Sequence, residues 1–390
     1  MSTDQRTVAC VLTPPGRGAV AVVGVDGPQA AEHVSRFFQP IGKRELAQQP
    51  INRIVYGHWI GSEVDAHAQA EDLVVCRRSD TRVEVHCHGG KQSSAQIVSD
   101  LMSVGCKEID QHMWLQLEHG CPIRAAASEA LAQATTARTA EVLLDQFHGA
   151  LRQELEGILA DLDDEKTEIA QQRIARLLEF AEFGLHLTKP WQVVIAGRPN
   201  VGKSSLINAL VGFERAIVYD QPGTTRDVVT ATTAVDGWPI QLSDTAGLHT
   251  TDDAIESAGI ELARTRLLSA DLIVWVLDAT EVALIDEPKL LVQQQAEKVA
   301  VNLADDQIVI VLNKADLAGC NDHEDQSVTV TSAISRTGID RLLNQLSTRL
   351  VPNPPPREQA VPFAQNQIES LRQAHQAAEK REVIRQLLGW

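Results

Sequence analysis

The chain contains one stretch whose residue types and spacing suit phosphate binding. Residues 197–205, with the sequence Gly-Arg-Pro-Asn-Val-Gly-Lys-Ser-Ser, follow the apolar run 191–196. The two glycines let the backbone curl so that successive N–H groups face phosphate oxygens. In such a loop, Lys203 bridges the β- and γ-phosphates and Ser204 ligates Mg²⁺. The phosphate contacts predicted here are Asn200, Val201, Gly202, Lys203, Ser204 and Ser205.

Two later segments supply the other groups that a magnesium nucleotide needs. Asp244 ends a second apolar strand and begins the sequence Asp-Thr-Ala-Gly, where its carboxylate can hold Mg²⁺ through a water molecule. The N–H of Gly247 can meet the γ-phosphate, and Thr225, within the segment 223–227, offers a second hydroxyl to Mg²⁺. The contacts predicted from these segments are Tyr219, Thr224, Thr225, Asp244, Thr245, Ala246 and Gly247.

Two segments nearer the C-terminus indicate which base is bound. The sequence Asn-Lys-Ala-Asp at 313–316 follows an apolar strand, and the carboxylate of Asp316 can accept hydrogen bonds from N1–H and the amino group of guanine. Adenine presents the wrong edge. The sequence Thr-Ser-Ala at 331–333 follows another strand and can donate an N–H to the guanine oxygen. The predicted base contacts are Asn313, Lys314, Asp316, Ser332 and Ala333, and the order of all these motifs predicts a GTP and GDP site.

Composition limits the other classes of function. At 390 residues the chain is long enough for two or three domains, and its net charge of −17 argues against a general nucleic-acid coat. We find no apolar run of about eighteen residues and no cleavable leader, so we expect a cytoplasmic protein without a membrane partner. The six cysteines form no C-x-x-C pair, which predicts reduced thiols.

The elements that must position these motifs follow from hydrophobic periodicity. We expect a small α+β domain at 1–118, a helical domain at 119–189, a GTP-binding α/β domain at 190–350 and a further helical part at 351–390. The predicted elements of the first domain are a strand-turn-strand at 7–26, helices at 28–38 and 92–104, and strands at 53–59, 71–76 and 82–88. Because the last helix can pack back on the helices before it, the GTP-binding domain is predicted to be an insertion in the helical domain.

Two finer predictions concern side chains outside the nucleotide motifs. The helical region is predicted to bury one stripe per helix, comprising Leu144, Phe147, Leu151, Leu155 and Ile158, and later Ile174, Leu177, Leu178 and Ala181. His86, Cys87 and His88 lie in a predicted strand, where alternate side chains point to opposite faces. These three side chains therefore cannot converge on one metal ion.

Hydrolysis needs a group that orients water and a charge that stabilises the phosphoryl group. Leu248 follows the Asp-Thr-Ala-Gly segment, where many small GTPases have a water-orienting glutamine. Two substitutes are present. Asn200 could ligate a monovalent cation together with backbone carbonyls of 219–224, or it could only brace the loop. Glu256 could position water, or it could only open the next helix as an acid in its first turn.

With these residues in view, the chain resembles the MnmE (TrmE) family of tRNA-modification GTPases. The resemblance rests on residues 13–18, 83–90, 197–205, 223–227 and 252–261. It implies an N-terminal domain that dimerises and binds folate, and GTP hydrolysis stimulated by K⁺. Such enzymes act with a flavoprotein partner on the wobble uridine of certain tRNAs. The resemblance also implies that Glu256 is catalytic and that the K⁺ ligands are Asn200, Tyr219, Gln221 and Thr224.

The departures from the family pattern concern the folate chemistry. Gly24 stands where the family has a folate-contacting arginine, whereas the acidic residue of that site is kept as Glu84. The family's Pro-Gly-Glu-Phe segment appears as 120–124, and the chain ends at 386–390 without the family's Cys-x-Gly-Lys tail. Two hypotheses follow. The chain is a divergent tRNA-modification GTPase, or it is a derived GTP switch, for example in ribosome assembly, without folate-dependent chemistry.

Overall fold

A computed structural model describes residues 6–14, 16, 18–61, 70–212, 230–244, 264–282, 288–298, 304–319, 328–376 and 379–390. The chain divides into two compact units, residues 1–121 and 122–390. None of the helices within the described ranges combines the length and the apolar character that crossing a bilayer requires. The cysteines in these ranges, Cys10, Cys76, Cys87, Cys106 and Cys121, are buried free thiols.

The first unit is built on a seven-stranded sheet in the order β3-β4-β5-β6-β2-β1-β7. Its strands are β1 (Val8–Val11), β2 (Val20–Asp26), β3 (Phe38–Pro40), β4 (Ile54–Trp59), β5 (Glu71–Arg77), β6 (Arg82–His88) and β7 (Lys107–Glu108), and its helices are α1 (Ala30–Ser35), α2 (Lys91–Ser103) and α3 (Gln111–His119). All neighbours are antiparallel except β1 and β7. Alternate strand residues such as Val23 and Val85 pack against Ile97 and Leu101 of α2, so α1 and α2 cover one face of the sheet.

The helix predicted over 28–38 is wrong at its C-terminal end. Helix α1 ends at Ser35, and Phe38 begins the edge strand β3, opposite Trp59 of β4. Phe37 stacks on Trp59 with ring centroids 5.5 Å apart, and both phenylalanines are buried. Tertiary packing against Trp59 therefore outweighs the helical spacing of the apolar residues.

The second unit contains a helical part made of two chain segments. The first segment forms α4 (Pro122–Gln133), α5 (Ala137–Phe147), α6 (Ala150–Asp163), α7 (Thr167–Glu179) and α8 (Ala181–Leu185), and the last helices are α14 (Gln365–Gln376) and α15 (Lys380–Leu388). Helix α14 contacts α7, and α15 contacts both α6 and α4. The α/β domain between these segments is thus inserted in a helical domain, as predicted.

The continuous stripe predicted from Leu144 to Ile158 is wrong. Helix α5 ends at Phe147, and Gly149 adopts φ 111° before α6 begins. The change of direction alters which residues face inward. Leu143 is fully buried, whereas Leu144 is 43% exposed.

The inserted domain is a six-stranded sheet in the order β13-β12-β11-β8-β10-β9. Within the described residues, its strands are β8 (Trp191–Ala196), β9 (Thr230–Val235), β10 (Trp238–Asp244), β11 (Leu272–Asp278), β12 (Ile308–Asn313) and β13 (Val328–Val330). The helices whose two ends are described are α9 (Lys203–Val211), α10 (Ala279–Val282), α11 (Pro288–Lys298), α12 (Ala315–Ala318) and α13 (Ile339–Leu350). Among these described strands, only β9 and β10 pair antiparallel. Apolar residues pack on both faces of the sheet. Because β8, β10, β11 and β12 are parallel, their carboxyl ends meet at one edge of the sheet, and the polar residues that end or follow these strands lie there.

Candidate nucleotide site

The loop between β8 and α9 has the curled backbone that its glycines predicted. Gly197 adopts φ 137° and Gly202 φ 94°, and Asn200 between them adopts φ 65°. A side chain at Gly197 would collide with the carbonyl oxygen of Val276, and one at Gly202 with the amide of Asn313. Both positions therefore need glycine for their conformation and for their contacts.

Lys203, the first residue of α9, places its ammonium inside this loop. Its Nζ donates to the carbonyl oxygens of Gly197 and Arg198 at 3.0 and 2.9 Å, and only 4% of the residue is exposed. Burial lowers the pKa of Lys203, and the carboxylate of Asp244 acts in the opposite direction. The loop thus holds a desolvated cation next to N–H groups that can face phosphate.

Two residues predicted to bind Mg²⁺ from separate segments are in direct contact. The Ser204 Oγ donates to Asp244 Oδ2 at 2.7 Å, and Asp244 is 2% exposed at the end of β10. Pairing of β10 with β8 sets Asp244 opposite Ile195 and so brings the carboxylate to the loop. Hydroxyl and carboxylate oxygens are ligands that Mg²⁺ accepts, so these residues fit the ion.

Asn313 joins the phosphate loop to the segments predicted to bind the base. Its Nδ2 donates to Val201 O at 3.0 Å, and its Oδ1 accepts from Thr331 Oγ1 at 3.3 Å and Ala333 N at 3.2 Å. The residue is 1% exposed, so these bonds are shielded from water. Ser332 is buried beside them, whereas Asp316 is exposed in the first turn of α12, where its carboxylate is accessible.

Asp278 lies at the same edge and was not predicted. It ends β11, and its Oδ2 accepts a hydrogen bond from Lys314 Nζ at 2.7 Å. The available signal was an aspartate directly after the apolar run 272–277, at the carboxyl end of a predicted parallel strand.

Several predicted residues lie outside the described ranges. They are Tyr219, Gln221, Thr224, Thr225, Thr245, Ala246, Gly247 and Glu256. The second hydroxyl on Mg²⁺, most of the K⁺ site and the water-positioning carboxylate therefore remain predictions. Of the K⁺ ligands, only Asn200 is described, and it is exposed on the loop.

Comparison with known proteins identifies the family. The profile described as the GTP-binding protein TrmE N-terminus matches residues 7–111, and that described as 50S ribosome-binding GTPase matches residues 192–314. The chain is 32% identical over 386 residues to the tRNA modification GTPase MnmE of Latilactobacillus sakei, covering 88% of this chain and 81% of that protein. The MnmE proteins of Enterococcus faecalis (33%; 86% and 79% covered) and Geobacillus kaustophilus (34%; 87% and 81% covered) are similar to the same extent.

The chain belongs to the MnmE family of tRNA modification GTPases. The nucleotide site described above is accordingly a GTPase site, and the chain hydrolyses GTP to GDP and phosphate. The GTPase profile begins in β8 and ends at Lys314, so it includes the phosphate loop, Asp244 and Asn313.

The MnmE resemblance implies folate contacts at residues 24 and 84 of the first unit, and position 24 has no room for the family's arginine. A Cβ at Gly24 would lie 2.5 Å from the Trp114 indole, which is 3% exposed. The Arg82 guanidinium packs 4.9 Å from the Trp114 ring centroid, and it is bound to Asp26 at 2.8 Å. The space in which a side chain of residue 24 would extend is therefore filled by protein.

Glu84, the acidic residue that the MnmE resemblance assigns to folate, is already paired. Its two carboxylate oxygens lie 3.3 Å from Arg78 Nε and 3.3 Å from His86 Nε2. Cys87, which follows His86 in β6, points to the opposite face of the sheet. It is buried there, and its Sγ donates to Ala21 O. We derive no folate-dependent step for this chain.

Proposed function

We propose that this chain is a K⁺-stimulated GTPase that serves modification of the tRNA wobble uridine. The observation that carries the proposal is the 2.7 Å contact of Ser204 with Asp244, next to the buried ammonium of Lys203. Relatives named as tRNA modification GTPases support the biological role. The proposed partners are GTP and GDP, tRNA, a flavoprotein and a second copy of the chain, and the proposed location is the cytoplasm.

The chain's own residues are proposed to contribute charge stabilisation and to orient the nucleotide. The ammonium of Lys203 and the loop N–H groups face the phosphates, and Asp316 orients the base. Mg²⁺ would be held by Ser204 and Thr225, and by Asp244 through water, where it would neutralise charge on the β- and γ-phosphates. Glu256 is proposed to orient the attacking water, because Leu248 cannot.

Dimerisation is proposed to use the first unit. The sheet face opposite α1 and α2 carries Ile54 (70% exposed) and Tyr56 (47% exposed) on β4. Exposed apolar side chains mark a protein contact where they form a contiguous patch, and these two residues are proposed to belong to such a patch.

The proposed role of K⁺ gives the first prediction. Asn200 has a positive φ and an exposed side chain at the loop, which suits a ligand beside the phosphates. We expect GTP turnover to be several-fold faster in KCl than in NaCl at equal ionic strength, and Asn200→Ala to abolish this difference. The matched control, Asn344→Ala on the exposed surface of α13, should keep it. Equal wild-type rates in both salts would contradict the K⁺ proposal.

The role in tRNA is tested by nucleoside mass spectrometry of bulk tRNA. We expect modified wobble uridines to fall when the gene is deleted and to be restored by the wild-type gene. The Lys203→Ala variant should not restore them, because it lacks the phosphate-binding ammonium. Unchanged nucleosides on deletion would overturn the tRNA proposal.

A second candidate function is favoured by the packing of Trp114 over Gly24. Trp114 occupies the space beside Gly24, and Glu84 is paired with Arg78 and His86. The alternative is therefore a GTP switch without folate-dependent chemistry, for example in ribosome assembly. The two candidates differ in one binding measurement. If the chain is a GTP switch, isothermal titration with 5-formyl-tetrahydrofolate should show no heat of binding. Binding with a micromolar Kd would reject the switch hypothesis.

A further inference from the structure

Asp278 is a buried carboxylate whose two oxygens are both bound. Its side chain is 9% exposed, and Lys314 Nζ lies 2.7 Å from Oδ2. Oδ1 accepts two further hydrogen bonds, from Thr280 N at 2.9 Å and from Thr280 Oγ1 at 2.7 Å. These bonds fix the orientation of the carboxylate, and Oδ2 accepts its hydrogen bond from Lys314.

The charge of Asp278 is maintained by these partners. Burial raises its pKa, but the hydrogen bonds from Lys314 and Thr280 outweigh burial and hold the pKa below its usual value. Asp278 is therefore ionised at neutral pH, and its contact with Lys314 is a charge-assisted hydrogen bond in a partly desolvated site.

Lys314 is held at both ends of its side chain. Its backbone has φ 66°, in the left-handed region, and it follows Asn313, which is bonded to Val201 and Ala333. Its ammonium is bound to Asp278, and its side chain is 31% exposed. A free lysine has about 2 kcal/mol of rotamer entropy, so this anchor fixes a stem that would otherwise be mobile.

We infer that Asp278 is a positioning residue for guanine nucleotides, because it holds the methylene stem of Lys314 as an apolar surface for the purine. The inference rests on the GTP site and deepens it. The two neighbours of Lys314 are bound to the phosphate loop and to the segment 331–333, where the base is expected: Asn313 Nδ2 donates to Val201 O at 3.0 Å, and Ala315 N donates to Thr331 O at 3.1 Å. Lysine stems often cover apolar surface while their charged head is bound elsewhere.

Asp278→Asn keeps the shape of the side chain and removes its charge. We expect the Kd of fluorescent mant-GDP and of mant-GTP to rise by the same factor, about tenfold. The kcat at saturating GTP should stay within about twofold, because the anchored stem contacts the nucleoside and not the γ-phosphate. A fall in kcat with unchanged Kd would overturn the inference.

A double-mutant cycle distinguishes positioning through Lys314 from a general structural role. Lys314→Met keeps an apolar stem but removes the ammonium that Asp278 binds. In that background Asp278→Asn should have almost no further effect on mant-GDP affinity, whereas a merely structural effect would add to it. Additive effects would therefore reject the inference.

A milder variant and a control complete the test. Thr280→Val, at an exposed position, removes one donor to Asp278 and should raise the Kd about two- to threefold without unfolding the domain. Asp340→Asn makes the same chemical change on an exposed carboxylate in α13 and should leave the Kd unchanged. If the wild type bound neither nucleotide, the GTP site itself would fail. If the wild type binds both nucleotides and Asp278→Asn leaves the Kd unchanged, only the role of Asp278 is rejected.

Discussion

At the scale of single residues, Asp316 is proposed to determine the choice of base. A carboxylate accepts from both the N1–H and the amino group of guanine, whereas the asparagine amide can donate to the C2 carbonyl of xanthine. We therefore expect Asp316→Asn to lower the preference for GTP over XTP at least tenfold, or about 1.4 kcal/mol. Because Asp316 is exposed, the substitution should not affect folding. Competition against mant-GDP measures the preference, and an undiminished preference would refute the assignment.

Motif spacing was sufficient to predict that Ser204, Asp244 and Asn313 lie at the same edge of the sheet. The contact of Ser204 with Asp244 and the bonds of Asn313 follow from a fixed order of strands, loops and helices. Trp114 could not be predicted in the same way, since its position over Gly24 depends on how α3 packs on a sheet formed by distant strands. Residues whose role depends on such tertiary contacts carry no local sequence signal.

At the scale of elements, the β9–β10 hairpin connects two segments predicted to bind Mg²⁺. Its first strand follows the segment that contains Thr225, and its second strand ends at Asp244. The turn at Asp236 is hydrogen-bonded to α5 of the helical part. Arg138 NH1 donates to the backbone O and to Oδ2 of Asp236, each at 2.6 Å. The same guanidinium lies 4.3 Å from the Trp238 ring centroid.

This attachment predicts a measurable change in the hairpin. Arg138→Ala removes an ion pair of an exposed carboxylate and a cation–π contact, together about 1 kcal/mol. We expect amide hydrogen exchange of β9 and β10 to become about fivefold faster, whereas Arg138→Lys should have a smaller effect because it keeps the charge. Mass spectrometry of the corresponding peptides measures the rates. Equal exchange in wild type and Arg138→Ala would show that the attachment does not restrain the hairpin.

The elements themselves were predicted best where local chemistry determines them. The sequence Asp236-Gly237 predicted a two-residue hairpin, and both residues have positive φ, as a type I′ turn requires. The helix boundaries near Phe38 and Leu144 were wrong, because periodicity cannot show where a helix ends when apolar residues continue into the next element.

At the scale of the whole molecule, the helical domain depends on two segments that are separated in sequence by the GTPase domain. Lys380 caps α14 by donating to the carbonyl oxygens of Ala374 and His375, and Arg381 of α15 is bound to Asp163 of α6 at 3.1 Å. Ile384 of α15 is fully buried. The two segments therefore share one core, which should unfold as one unit.

The shared core leads to a prediction about how a local defect spreads. Ile384→Ala leaves a cavity and should destabilise the helical domain by about 2–5 kcal/mol, whereas Leu144→Ala, at an exposed position, should cost below about 0.5 kcal/mol. If the two segments form one cooperative unit, hydrogen exchange should accelerate in α6 as well as in α15, while β8 and β11 of the inserted domain stay protected. If hydrogen exchange accelerated only in residues 379–390, α15 would unfold independently of α6. The two chain segments would then not form one cooperative helical core.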